Sequence, residues 1–430
     1  MALLRNIILT LGSRILITVI GFAVLLLTTR YLGAEGTGVI GLISASVSLI
    51  AIFSGFIGGS SLVYLIPRHK FSILLVPSYL WAVLMVMAGS VVLSVFNLVP
   101  VEVIPPIAIL GVLSSIGSIN LIALVAKERI ATNNSLSVLQ ALLNISLLSV
   151  FFLVLQTPTV EKYLYAMYIS GAVLLVLEFL LIRRYFDRLR GTMGEVRETI
   201  RSILQYGFLC QLGNVVQYLN YRVSFYLLNY FAGVAAVGIY SVGVTLSESI
   251  WIVGKSIALV QYARIANTDD LEYSRVLTLR LAKAGLLATT VLVGVLLVIP
   301  PGLFGTIFGP DFSQVYFVIA SMAVGNIAFG YTMMISHYFA GLGRYHVNTF
   351  ASACGLVATG VLSVALIPAF GYIGAGITAS ISYGLTSLVQ IWFFVRQSGT
   401  PVRELLPNRS DAVFIRSLVR DLLAQYLEKR

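Results

Sequence analysis

Residues 15–38 of the chain read ILITVIGFAVLLLTTRYLGAEGTG. A long apolar run ends at one arginine and a glycine-rich turn, and a second apolar run begins at Val39. A helix needs about 20 predominantly apolar residues to cross the ~30 Å hydrocarbon core of a bilayer. The stretch therefore predicts the end of one membrane-spanning helix, a short turn and the start of the next.

The same pattern recurs along the whole chain of 430 residues. Twelve predicted spans begin near residues 7, 39, 73, 104, 136, 162, 203, 236, 278, 313, 347 and 372. Hydrophobic residues make up 58% of the sequence and charged residues 10%, against roughly 25% charged residues in soluble domains. The sequence predicts an all-α integral membrane protein with twelve transmembrane helices and short connecting loops.

The positive charges predict the orientation of these helices. Nearly all of the 28 lysines and arginines fall on one side of the membrane, whereas Arg30 and Lys162 fall on the other. Because cationic loops are retained in the cytoplasm, we expect both termini to be cytoplasmic in a cell (plasma or inner) membrane. The net charge of +11 is spread over these loops, which favours anionic membrane lipids over nucleic acid as a partner.

The twelve predicted spans divide into two sets of six. Residues 184–202 form the most charged stretch in the body of the chain and separate an N-terminal lobe, residues 1–183, from a C-terminal lobe, residues 203–396. Apolar residues recur at helical spacing in this linker and in the tail, residues 397–430. This spacing predicts amphipathic helices on the cytoplasmic surface.

An internal repeat supports the division into two lobes. Residues 31–40 read YLGAEGTGVI and residues 230–240 read YFAGVAAVGIY, with Gly38 and Gly238 separated by 200 residues. Equal span numbers and equal orientation predict a parallel repeat, related by a pseudo-two-fold axis along the membrane normal, of the kind found in transporters.

Four short motifs carry a family resemblance. They are RYLGAEGTG at residues 30–38, AAVGIYS at 235–241, YFAGLGR at 338–344 and IPAFGYIGAG at 367–376. In this order they resemble the polysaccharide and O-antigen flippases of the multidrug/oligosaccharidyl-lipid/polysaccharide (MOP) exporter superfamily. The resemblance implies a MATE-like fold with a central cavity, and alternating access as its mechanism. It also implies a lipid-linked oligosaccharide as substrate, on an isoprenoid phosphate or pyrophosphate, and glycan-assembly enzymes as partners.

Three cations lie inside predicted spans: Arg14, Arg222 and Lys255. At 1.5 Å per helical residue, Arg14 lies about 24 Å from Arg30, and Arg222 about 12 Å from the outer end of its span. We expect the three to bind the anionic headgroup in steps, because charges inside a bilayer normally face a bundle interior or a wet cavity. Snorkelling to the interface is the alternative for Arg14 and Lys255, and pairing with Glu248 is the alternative for Arg222.

The other candidate residues are expected to line the cavity or couple transport to an ion. Glu248, Trp251 and Lys255 share a face at i, i+3 and i+7, which favours a common cavity lining. Glu248 is also a candidate for proton or sodium coupling. The remaining candidates, which either line the sugar path or make ordinary helix contacts, are Asn214, Asn220, Asn326 and His337.

Two other functional classes are considered. A MATE-type, cation-coupled multidrug antiporter favours acidic cavity residues, whereas the balance near mid-span is three cations to one anion. An integral-membrane polysaccharide polymerase or ligase needs acidic or histidine groups outside the membrane. The outer turns offer no histidine, and their acidic residues all lie in short turns: Glu35, Glu102, Glu161 and Asp311. We therefore expect a transporter rather than an enzyme, with no catalytic residues, no cofactor and no metal; Cys210 and Cys354 both lie within predicted spans.

Overall fold

The computed structural model describes residues 2–59, 61–187 and 193–406. This part of the chain is helical, with no β-strand among the described residues. The thirteen α-helices are α1 (Ala2–Gly58), α2 (Ser61–Leu65), α3 (Phe71–Val95), α4 (Ile104–Ala126), α5 (Ile130–Ser149), α6 (Val160–Ile182), α7 (Met193–Ala232), α8 (Val234–Ser249), α9 (Trp251–Ala266), α10 (Leu271–Val298), α11 (Pro301–Phe308), α12 (Val315–Gly341) and α13 (Tyr345–Ser398). A π-helical turn, Val150–Val154, extends α5.

Helices α1 and α13 are too long for a single crossing, with 57 and 54 residues. Each is interrupted by one glycine with positive φ: Gly33 (φ 64°, ψ −167°) and Gly371 (φ 55°, ψ −131°). Glycine takes such angles readily because it lacks a Cβ. Each long helix therefore consists of two limbs, residues 2–32 and 34–58 in α1 and residues 345–370 and 372–398 in α13.

The helices agree with the predicted twelve spans. Among the described residues, eight helices are long and apolar enough to cross a membrane, or nine if α8 and α9, bent by 48°, form one span. Each of the two broken helices supplies two limbs, and the 40-residue helix α7 adds a further crossing. The chain is a multi-pass membrane protein.

Several helix starts differ from the predicted span starts. Helix α5 begins at Ile130, α7 at Met193 and α10 at Leu271, whereas the apolar pattern placed their starts near 136, 203 and 278. In each case the first turns are polar or charged, so a criterion based on apolar runs omits them although they are helical.

Part of the predicted linker is helical, and its place on the cytoplasmic surface stays a prediction. Residues 193–202 form the first turns of α7, which continues without a break to Ala232 because no proline interrupts it. Residues 188–192 and 407–430 lie outside the described part of the chain. The amphipathic helix expected in the tail therefore stays a prediction.

Contacts divide the chain into two compact units. The first unit contains Met1–Ser241 and Phe304–Ser313, and the second contains Val242–Leu303 and Gln314–Arg430. The core of the first unit includes Leu62, Leu74 and Ile107, each with no exposed surface. In the second unit α12 packs against α9, α10 and α13. The predicted lobe boundaries at residues 183 and 203 stay a prediction.

Candidate transport site

The first unit contains four of the predicted site residues. Arg14 is exposed on α1, and Arg222 is half-buried on α7 with its guanidinium carbon 5.3 Å from the centre of the Phe225 ring. Asn214 is exposed and its amide donates to Gln211 Oε1 at 3.3 Å, whereas Asn220 is buried. A cation that stays exposed on a membrane-spanning helix faces water or headgroups, because facing hydrocarbon is costly.

The second unit contains the predicted face of Glu248, Trp251 and Lys255, and the bend between α8 and α9 changes it. Glu248 is half-buried at the end of α8, Trp251 is buried at the start of α9, and Lys255 is exposed. The centre of the Trp251 ring lies 4.5 Å from that of the Phe329 ring, tilted by 39°, and 5.7 Å from that of the Tyr383 ring in an edge-to-face arrangement. The bend interrupts the continuous register on which the expectation of a common face depended.

The last two predicted residues lie on α12. Asn326 is buried, and its side-chain oxygen accepts no hydrogen bond from the described residues. His337 Nδ1 lies 2.8 Å from the carbonyl oxygen of Met333, one turn earlier on the same helix. His337 therefore bonds within its own helix. The predicted stepwise path and the predicted pairing of Arg222 with Glu248 join residues of different units and stay predictions.

The repeated glycine motifs pack against each other within the first unit. A Cβ added to Gly38 would collide with the carbonyl oxygen of Val234, and one added to Gly238 would collide with the carbonyl oxygen of Ala34. Both contacts follow the 200-residue offset of the repeat, so each copy of the motif meets the other. Small residues spaced four apart allow such close approach of membrane helices.

Three hydrogen bonds of the Arg30 and Asp311 side chains, together called the clasp, lie beside this contact between the glycine motifs. The Arg30 guanidinium donates to the carbonyl oxygens of Thr306 (2.8 Å) and Ile307 (2.9 Å), at the end of α11. The Asp311 carboxylate accepts from the backbone N–H of Ala34 (3.2 Å), where the second limb of α1 begins. Each charge thus stabilises the helix terminus of opposite partial charge.

These contacts agree with the predicted number of crossings. Residues 30–38, 234–238 and 306–311 follow the first, seventh and ninth predicted spans, which all end on the same side of the membrane. An even number of membrane crossings lies between any two of these segments. All three are therefore expected on the same side of the membrane, where they can be in direct contact.

A separate cavity of about 340 Å³ lies inside the first unit between α1, α4, α5 and α6. Most of its lining is apolar, and its polar lining residues are Ser44, Ser48, Ser114, Ser118, Gln140, Tyr163 and Glu178. Glu178 is only 3% exposed, and its Oε2 accepts from the Asn120 amide at 3.3 Å. The Tyr79 hydroxyl donates to the Asn120 side-chain oxygen at 2.6 Å.

Sequence reasoning missed Glu178, which lies near the end of α6 and is not part of the balance of three cations to one anion near mid-span. Glu178 is a second acidic residue inside a membrane-spanning helix. The signal was present, because an ionisable residue in an apolar run is by itself a candidate functional residue. No repeat or motif drew attention to it.

No family model matches the chain. Solved structures are nevertheless similar over almost its whole length. An inward-facing multidrug resistance MATE transporter of the MOP superfamily is 16% identical, with 91% of this chain and 98% of that structure covered and a TM-score of 0.70. The lipid II flippase MurJ in an inward closed conformation is 14% identical, with 94% and 89% covered and a TM-score of 0.71. The chain has the fold of the MOP superfamily transporters.

Another MOP-type structure, the MATE transporter VcmN of Vibrio cholerae, is 12% identical, with 94% of this chain and 98% of that one covered and a TM-score of 0.63. These three structures are of proteins named as transporters or flippases. At such identities the likeness establishes the MOP fold alone.

Two relatives match part of the sequence. An uncharacterized membrane protein of Methanocaldococcus jannaschii is 23% identical over 201 residues, which are 46% of this chain and 40% of the relative. The probable flippase AglR of Haloferax volcanii is 30% identical over 173 residues, which are 38% of this chain and 36% of the relative. Each match therefore spans less than half of the relative's length.

Proposed function

We propose that this MOP-fold protein is a flippase that moves a lipid-linked oligosaccharide from the cytoplasmic to the outer leaflet by alternating access. The match to the probable flippase of Haloferax volcanii carries the proposal. The MOP fold fits it too, since one of the solved structures with this fold is the lipid II flippase MurJ. The carrier would be an isoprenoid phosphate or pyrophosphate, whose tail stays in lipid while its sugars cross in a wet cleft.

The headgroup would be bound by Arg14, Arg222 and Lys255. Arg14 and Lys255 are exposed on membrane-spanning helices, which suits side chains that bind an anion entering from outside the protein. A cation facing hydrocarbon at mid-bilayer costs about 2.5 to 3.5 kcal/mol, so these positions favour contact with water or phosphate. Both termini would be cytoplasmic in the cell membrane, with anionic lipids around the cationic loops and glycan-assembly enzymes nearby.

The test is flipping of a fluorescently tagged lipid-pyrophosphate oligosaccharide in proteoliposomes. Arg14→Ala, Arg222→Ala and Lys255→Ala are compared with the wild type and with Arg403→Ala, which removes an exposed cation beyond the last span. Loss of one charge-assisted contact of about 1.5 to 3 kcal/mol would slow flipping roughly tenfold to a hundredfold. Equal rates in all four variants would contradict the assigned headgroup residues.

The second candidate function is a MATE-type antiporter, favoured by the MATE structures and by the buried acid Glu178. A buried carboxylate attracts cations, which are the cargo expected of such an antiporter. The same vesicles are therefore tested for uptake of a cationic dye. Dye uptake together with failure to flip several lipid-linked oligosaccharides would overturn the flippase proposal.

A further inference from the structure

The chain folds back onto the second unit after its last spanning helix. Residues 399–406, called the strap, follow the end of α13 at Ser398 and include the 3₁₀ turn Val402–Leu405. Gly399 ends the helix with a positive φ of 67°, which glycine adopts readily. Thr400 is only 2% exposed. The strap is therefore packed against the unit from its start.

The neighbouring helices show at which level the strap begins. The N–H of Gly325 on α12 donates to Ser380 Oγ on α13 at 2.7 Å. The hydroxyls of Thr332 and Ser387 lie 2.8 Å apart. Both pairs are 55 residues apart in the sequence. The second limb of α13 therefore runs beside α12 in the same direction, and the two helices end at about the same level.

Two hydrogen bonds hold the far end of the strap. Arg275 Nη1 on α10 donates to Glu404 Oε2 at 2.7 Å. The hydroxyl of Tyr331 on α12 donates to the carbonyl oxygen of Leu405 at 3.2 Å. Tyr331 lies ten residues before the end of α12, about 15 Å along its axis, which is farther than a tyrosine side chain reaches. The strap therefore turns back from the helix ends towards the membrane interior.

Helix α10 carries a second cation, Lys283, at the depth that the strap reaches. Lys283 is the thirteenth residue of α10, about 18 Å from its start, and is 6% exposed. A Cβ added to Gly285 would lie 2.8 Å from the carbonyl oxygen of Gly330 on α12. Because consecutive spans run in opposite directions, Lys283 lies within about one turn of the level of Tyr331. Arg275 and Lys283 are eight residues apart, a spacing that keeps them on one helix face.

The strap brings a carboxylate to this face. Glu272, one turn before Arg275, accepts two hydrogen bonds from its guanidinium at 2.6 and 2.8 Å. Glu404 adds a second carboxylate from 129 residues away, and its side chain stays 46% exposed. Without it, the first thirteen residues of α10 carry three cations and one acid. Guanidinium groups bind carboxylate and phosphate oxygens in the same way, and lysine also binds phosphate. An exposed ion pair contributes little stability, so another anion can replace Glu404.

We propose that Arg275 and Lys283 form a binding site for a phosphate or pyrophosphate anion, and that Glu404 is an internal ligand which this anion displaces. The anion takes the place of Glu404 on Arg275 and extends to Lys283, and the strap is released. Tyr331 holds the strap through a backbone carbonyl and is a positioning residue. A lipid headgroup as the anion rests on the proposed flippase function, whereas displacement of the strap by an anion does not.

Binding is measured on the full-length protein in phosphatidylcholine nanodiscs, by calorimetric titration with inorganic pyrophosphate at constant ionic strength. Glu404→Gln removes the internal ligand and should tighten binding about twofold to fivefold. Arg275→Ala removes the guanidinium that binds the anion and should weaken binding about tenfold or more. Arg403→Ala removes an exposed cation of the same strap and should bind like the wild type.

The opposite signs of these two effects are decisive. Both variants remove the bond between Arg275 and Glu404, so a strap with a purely structural role predicts effects of the same sign. Effects of the same sign overturn the proposal. Lys283→Met covers the case in which Arg275→Ala does not fold, because it leaves both bonds of the strap intact. It should weaken binding about tenfold, and wild-type affinity in Lys283→Met overturns the assigned site.

Release of the strap is followed by amide hydrogen exchange of residues 399–406. The N–H groups of Glu404 and Leu406 bond within the docked strap, to the carbonyl oxygens of Pro401 and Arg403, so their exchange should become faster on release. Inorganic pyrophosphate in solution and an isoprenyl pyrophosphate in the bilayer are compared. Release by both supports a site for the free anion, and release by the isoprenyl form alone supports a site for a headgroup. Release by neither, or equal release by sodium chloride at the same ionic strength, overturns the proposal.

The substrate is tested separately, by flipping of the tagged lipid in proteoliposomes. Glu404→Gln should flip faster than the wild type at low lipid concentration, because no internal ligand competes with the headgroup. Equal or slower flipping in this variant overturns the role of Glu404 as a competitor. A wild type that flips no lipid-linked oligosaccharide contradicts the flippase function, and the pyrophosphate titration then still decides whether Arg275 and Lys283 form an anion site.

Discussion

The packing of the two glycine motifs at Gly38 and Gly238, called the crossing below, gives a prediction whose cost in stability can be derived from the structure. Replacing Gly38 or Gly238 by alanine places a methyl group against a backbone carbonyl that is fixed in a helix and cannot rotate away. The helices must separate, and a gap of about 0.5 to 1 Å already removes a quarter to a half of the dispersion energy of the facing atoms. Overpacking of this kind costs about 2 to 3 kcal/mol, in the upper part of its usual range.

Alanine has a higher helix propensity than glycine, which stabilises each variant by about 1 kcal/mol and offsets part of the overpacking cost. The net cost of Gly38→Ala or Gly238→Ala is therefore about 1 to 2 kcal/mol. Because one methyl group already separates the helices, the double variant should cost less than the sum of the two single variants. Such non-additive costs would indicate that Gly38 and Gly238 lie at one and the same helix–helix contact.

The assay is the midpoint of thermal unfolding in detergent, with Gly21→Ala as the matched control. Gly21 lies on the same helix as Gly38, and nothing lies within 4 Å of a Cβ added there. We expect midpoints lowered by about 1 to 2 °C at the crossing, because the shift scales inversely with chain length, and a midpoint that is unchanged or raised for Gly21→Ala. Crossing variants that unfold at or above the wild-type temperature would refute the reasoning.

Three further predictions concern stability, measured by thermal unfolding together with the second readout named for each variant that has one. Gly371→Ala should cost about 1 to 3 kcal/mol from backbone strain alone. Gly360→Ala, in open space on the same helix, should be neutral or stabilising; shifts of equal sign and size would contradict this. Arg30→Ala removes the two clasp bonds that Arg30 donates. It should cost about 1 kcal/mol and speed amide hydrogen exchange in α11, so unchanged exchange would count against the clasp. Trp251→Ala should cost about 3 to 5 kcal/mol by opening a cavity, whereas Trp251→Phe should keep most of the stability; transport lost at full stability would indicate a cavity lining instead.

The sequence predicted the membrane fold because the apolar runs are long and the glycine turns are frequent. Such a signal depends on local composition, which is also why the polar first turns of α5, α7 and α10 were left out. The bend between Ser249 and Gly254 was not predicted, since no proline lies there and a single glycine in a helical pattern is tolerated. Helical register was therefore carried across a break that the sequence marks only by Gly254.

The candidate site was harder to predict than the fold. The contacts of Arg30 with Ile307 and of Ala34 with Asp311 join residues 277 apart, and periodicity carries no information about such pairs. The repeat did place Gly38 and Gly238 at equivalent positions, but their direct contact depends on tertiary packing. Glu178 interrupts an apolar run but belongs to no motif or repeat, and its burial and its bond to Asn120 follow only from the structure.

The composition of the first unit also has a consequence for biosynthesis. Phe304–Ser313 belongs to this unit, although α9 and α10 are made between Ser241 and Phe304. At a translation rate of about 5 to 20 residues per second, roughly 4 to 15 s pass between synthesis of Ser241 and of Ser313. During that interval the N–H of Ala34 lacks the carboxylate of Asp311 that later caps it. The nascent N-terminal helices must therefore wait in the membrane for a segment of the second half before their own unit is complete.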